Sequence, residues 1–89
     1  MCTYVTERLD VTGSGKGPDG WMAVSRATVY YDHPVHAPFE HSLSIDVLNP
    51  ALGPAARVAL ELDPASAREL AEAILRTLDQ VPAELLAAG

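Results

Sequence analysis

The chain has 89 residues, 48% of them hydrophobic, and carries a formal net charge of −6. That length allows a single domain near the lower limit for a self-sufficient core. Lys16 is the only lysine and the five arginines are dispersed, so the cation cluster that phosphate recognition needs is missing and nucleic acid is excluded as a partner. Cys2 is the only cysteine, which rules out an intramolecular disulfide and suits a reducing compartment. No apolar run reaches membrane-spanning length, and the opening residues read as a strand rather than a signal peptide, so the expected location is cytoplasmic, with no membrane partner.

Alternation at Thr3–Val5 and Leu9–Val11 predicts a first strand over residues 2–12. The following Gly13-Ser-Gly-Lys-Gly-Pro-Asp-Gly20 reads as a loop by its turn residues. Residues 21–31 are rich in β-branched and aromatic types and predict a longer second strand. The third strand, 42–48, alternates Leu43, Ile45 and Val47 against Ser42, Ser44 and Asp46. A turn over 49–54 leads to a fourth strand, 57–62, with Val58, Leu60 and Leu62 on one side. Asp63 as N-cap and Pro64 at the first helical position then start a helix. Ala67, Leu70, Ala71, Ile74, Leu75 and Leu78 give it one apolar stripe, and Arg68–Glu72 and Glu72–Arg76 are spaced as ion pairs on its solvated side. Pro82 introduces a short helical tail at 82–88.

The expected architecture is therefore α+β: a four-stranded antiparallel sheet with one C-terminal amphipathic helix on one face, β-β-β-β-α. The apolar alternation of strands three and four belongs under the helix. The opposite face, with Ser42, Ser44, Asp46, Arg57, Ala59 and Glu61, is too polar for a dry core and is expected to be solvated, paired with another subunit, or the wall of a polar cleft. Because one helix covers one face only, a homodimer or higher homo-oligomer is expected for the other.

All three histidines fall within Asp32-His33-Pro34-Val35-His36-Ala37-Pro38-Phe39-Glu40-His41. His33, His36 and His41 are candidate ligands for a divalent transition metal, with Asp32 or Glu40 as an oxygen donor or orienting partner. The prolines would hold such a site rigid. The spacing matches no standard zinc motif, however. Metal-free acid–base chemistry with Asp32, His33, His36, Glu40 and His41 as catalytic residues is a second reading, since a carboxylate beside an imidazole fixes its tautomer. A purely structural role is the third. Strand alternation turns His41 towards the helix side and Glu40 towards the polar side, which leaves His33 and His36 as the expected functional pair.

Gly13-Ser-Gly-Lys-Gly17 has the composition of a phosphate-cradling loop but lacks the spacing and the following helix, so a flexible connection is expected, with Lys16 free to close over an anion. Cys2 is expected as a small core residue, with an N-terminal nucleophile or an added metal ligand as the sharper alternatives. Trp21, Tyr30 and Tyr31 are expected as core or interface aromatics.

The segments Met-Cys-Thr-Tyr-Val-Thr-Glu at 1–7, Gly-Ser-Gly-Lys-Gly at 13–17 and Tyr-Asp-His-Pro-Val-His-Ala-Pro-Phe-Glu-His at 31–41, with Asn49-Pro50, Gly53-Pro54 and 56–59, resemble a family of small bacterial proteins of actinomycete type labelled a domain of unknown function. The resemblance spans essentially the whole chain. It implies no activity, but it places Asp32, His33, His36, Glu40 and His41 inside the shared pattern. The functional expectation is a small oligomer whose histidine-rich connection forms a metal or small-molecule site for acid–base or metal-assisted chemistry. Its rival is a non-catalytic binding or interaction module in which the histidines brace the hairpin.

Overall fold

The computed structural model describes residues 5–88. Four strands, β1 (Val5–Gly17), β2 (Gly20–Asp32), β3 (Ser42–Leu48) and β4 (Arg57–Leu62), form one antiparallel sheet in the order β1-β2-β3-β4. Helices α1 (Pro64–Asp79) and α2 (Ala83–Ala88) follow. The α+β class, the four-stranded antiparallel sheet and the helical tail are those expected. Cys2 lies outside the described residues, as do the first residues assigned to the opening strand.

The glycine-rich stretch is where local expectation fails. Gly13–Gly17 is strand, paired with Val24–Gly20, and the turn shrinks to Pro18–Asp19. Pro18 presets φ at the first corner position, and Gly20 takes φ 109°, a conformation open to glycine. Between Asp10↔Arg26 and Gly13↔Val24 the register shifts, so that Val11 and Thr12 oppose Ser25 alone. Such a bulge bends the ribbon and strengthens its twist. Val24 and Ala27, three residues apart, are accordingly both buried, and β1 curls towards the far edge strand β4. A Cβ on Gly15 would lie 3.3 Å from methyls of both Val24 and Val58. Close approach of strands, rather than flexibility, therefore explains a glycine here. Lys16 sits opposite Trp21 near the tip of this ribbon, and Trp21 is 71% exposed rather than in the core.

The β3–β4 turn is a single 3-10 turn, Pro50–Leu52, organised by Asn49. Its side-chain oxygen accepts the Ala51 amide at 3.1 Å while Nδ2 donates to the Ala23 carbonyl at 3.0 Å. That second bond ties the turn to β2. At the other end of β4, Asp63 caps α1 by accepting the Ser66 amide at 2.9 Å, and Pro64 occupies the first turn as expected. The carboxyl of Asp63 is held below its ordinary range by the Ser66 hydroxyl and then by the Ser66 amide.

Cross-strand registers assign the faces. Tyr31, Leu43 and Leu62 share one side with Val29, Ile45 and Leu60, and with Ala27, Val47 and Val58. The other side carries Tyr30, Ser44 and Glu61, then Thr28, Asp46 and Ala59. α1 packs on the apolar side, chiefly against β3. It does not seal that side: Leu70 is 40%, Ile74 52% and Leu75 61% exposed. The ion pairs expected along α1 do not form; among the described residues the pair present is Arg57–Asp46.

Candidate functional site

Residues 33–41 join β2 to its neighbour β3 without regular structure. Three consecutive amides of this connection, those of Val35, His36 and Ala37, donate to the carboxylate of Glu61 at 2.5, 2.9 and 2.9 Å. Glu61 belongs to β4, one strand beyond β3, and pairs across the ladder with Ser44. The connection must therefore cross β3 on the polar side to reach it. Ser42 and Ser44, beneath that crossing, are 0% and 3% exposed, and their hydroxyls pair at 3.0 Å. Small side chains let the chain pass, and their mutual hydrogen bond removes the cost of burying them. Over β3 the serine face is thus closed by the chain's own connection.

The structure brings His33 and His41 together and leaves His36 apart. The rings of His33 and His41 stack with centroids 4.7 Å apart and planes at 29°, and His41 stacks in turn on Tyr31 at 5.9 Å. The rings in contact are thus His33 and His41, not His33 and His36. The physical reason is parity: His41 shares the side of Leu43 and Tyr31, and His33 closes onto it as the chain leaves β2. His33 Nδ1 lies 2.9 Å from the Glu40 carbonyl oxygen. A carbonyl has no proton to give, so Nδ1–H donates. This bond spans the connection from end to end.

Among the described residues, no three of His, Cys, Asp and Glu come together in an arrangement that could hold a metal ion. Ring-nitrogen lone pairs lie in the ring plane, so stacked imidazoles direct them side by side rather than onto one point. Asp32 is buried and its Oδ1 accepts the amide of His33 at 2.7 Å. Glu40 contributes its main-chain carbonyl, while its residue as a whole is exposed. Of the five candidate residues, then, Asp32, His33, Glu40 and His41 serve the two ends of the connection, and His36 stands at its middle.

His36 lines an open cleft of about 690 Å³ on the polar side with Tyr30, Asp46, Arg57 and Glu61. Arg57 Nε meets Asp46 Oδ1 at 3.1 Å, and the Tyr30 hydroxyl donates to Asp46 Oδ2 at 3.3 Å. Burial raises the Tyr30 hydroxyl above its ordinary value, and the Asp46 charge adds to the effect. Glu61 is held below the usual glutamate range by the amides of Val35, Ala37 and His36. Glu61 is the residue that sequence reasoning missed. The available signal was a lone carboxylate inside an apolar strand, at the parity of Asp46 and Arg57; its partners lie 24–26 residues away and leave no local trace.

A second cleft, of about 610 Å³, opens on the apolar side between α1 and the sheet. Val29, Tyr31, Leu43 and Ile45 form its floor, and Leu70, Ile74 and Leu75 stand along its helical wall.

Fold and site together define a small α+β protein: an antiparallel sheet with a hydrogen-bonded connection across one face and an amphipathic helix on the other. Among the described residues no helix is long and apolar enough to cross a membrane. By the match of its family model to residues 1–87, the chain belongs to a family of unknown function (DUF6295). No curated protein and no solved structure matches it.

Proposed function

We propose that this chain is a non-catalytic interaction module that works through its apolar face, with the histidine connection as the brace that closes the opposite one. The observation that carries this reading is the open apolar cleft, walled by Leu70, Ile74 and Leu75 at 40–61% exposure. Large apolar side chains left exposed together along one cleft are the kind of surface a partner covers. The brace is supported by the Glu61 carboxylate, which orders the connection through main-chain amides that need no imidazole.

Tag-free protein titrated with Zn²⁺ and Ni²⁺ in equilibrium dialysis tests it. A brace is expected to take up no stoichiometric metal, and Glu61→Gln is expected to speed hydrogen exchange at residues 35–37. One tightly bound metal per chain, lost in His33→Ala and His36→Ala, would overturn the brace. A second reading rests on the polar cleft, where His36 stands with Tyr30, Asp46 and Arg57. There a small polar metabolite would meet charge and an imidazole able to move a proton. Chemical-shift changes confined to these residues on adding a panel of polar metabolites, absent in His36→Ala, would favour it.

A further inference from the structure

We infer that the occupant of the open apolar face is a second copy of this chain, the two copies packing with their α1 helices side by side between their sheets. The inference rests on the apolar face being the working surface and supplies its partner. Strands about 4.8 Å apart give a four-stranded sheet a face about 19 Å wide, whereas a helix with its side chains is about 10 Å across. One α1 therefore covers half of one sheet, and two would cover it.

The surface area fits the same arrangement. The chain exposes 6674 Å². A compact monomer of its mass, 9.5 kDa, exposes about 5,050 Å². The excess of about 1,600 Å², taken over the whole chain, is of the size each partner contributes to an obligate homodimer. The radius of gyration, 14.7 Å, likewise exceeds the roughly 12 Å of a compact chain of this length. A small ligand in the 610 Å³ cleft would cover only part of that excess.

Helix geometry supplies the orientation. The stripe of Ala67, Leu70, Ala71, Ile74, Leu75 and Leu78 is wider than the contact with the sheet, so Ile74 and Leu75 stay more than half exposed along the open cleft. On the flank beside Leu75, Arg68 and Asp79 are eleven residues apart, about three turns, and so lie on the same side of α1. In an antiparallel two-fold pairing each flank meets its own copy in reverse. Arg68 then faces the partner's Asp79, and Asp79 the partner's Arg68. A parallel pairing would set like charges together.

Sedimentation equilibrium on the full chain at micromolar concentration tests this. The expected mass is twice that of the chain. Ile74→Asp and Leu75→Asp are each expected to weaken association about 100-fold or more, because every substitution acts twice across the two-fold. Those variants place a charge on apolar surface and can fail to fold, so a solvated pair complements them. Arg68→Glu and Asp79→Arg are each expected to weaken the dimer, and their combination in one chain to restore it. A folded monomer at micromolar concentration would overturn the inference, as would a dimer indifferent to all four substitutions. A monomer that takes up no metal and keeps slow exchange at residues 35–37 removes the second copy while leaving the interaction module standing.

Discussion

The two faces of this sheet are finished by opposite means. On the polar side, nine residues without regular structure cross β3 and dock three amides on Glu61, and the serines beneath are sealed from water. On the apolar side a regular sixteen-residue helix covers the floor only in part. An irregular segment succeeds because directional hydrogen bonds reach specific atoms and small serines leave it room. The helix falls short because apolar coverage scales with area, and one helix is narrower than four strands. Regularity and closure are thus separate properties, and the disordered-looking sequence is the better lid.

Changes under the lid sharpen that contrast most. Ser44→Leu is expected to cost about 2–3 kcal/mol, since a large side chain beneath the crossing must displace it; urea unfolding measures the loss. On the other face the same method gives a different kind of answer. Leu75 is 61% exposed in one chain, so Leu75→Ala is expected to cost below about 1 kcal/mol if that face stays bare. If a second copy covers it, the loss rises to about 2–3 kcal/mol and depends on protein concentration.

Smaller effects separate the members of the brace. Removing the His33 ring deletes its bond to the Glu40 carbonyl and its stack on His41, worth about 0.5–1 kcal/mol together. His33→Ala is therefore expected to lower Tm by a few degrees in calorimetry, and His36→Ala to leave it unchanged. Acid acts through Glu61 and Asp63, whose folded values both lie below their unfolded ones. Their contribution is complete above the unfolded value, about 4. It is lost as pH falls through the lowered folded values, so amide protection at residues 35–37 is expected to hold at pH 5 and decline in stronger acid. In Glu61→Gln that decline should vanish along with most of the protection.

Much of the scaffold is legible in the sequence. β3 and β4 follow from strict alternation, and α1 from Asp63, Pro64 and its apolar spacing, because each signal lies within one element. The strand through Gly13–Gly17 was not readable. Glycines carry no pattern, and the reason for Gly15 is the approach of Val24 and Val58 from elsewhere in the sheet. Clustering of the histidines and the parity of His41 were legible, whereas the pairing of His33 with His41 and the isolation of His36 depend on how the connection folds. Ser42 and Ser44 mark the deepest gap. Their polarity leaves a solvated face, a subunit contact and a cleft wall equally open, and the amides that cover them answer to a carboxylate in the fourth strand.

Hydrogen exchange followed by mass spectrometry over a series of protein concentrations compares both faces in one measurement. Amides 35–37 are expected to exchange slowly and equally at every concentration, because their acceptor lies in the same chain. Protection of α1 is expected to rise with concentration as a second copy covers Leu70, Ile74 and Leu75. Rapid exchange at 35–37 together with a concentration-independent α1 would contradict both halves of the comparison.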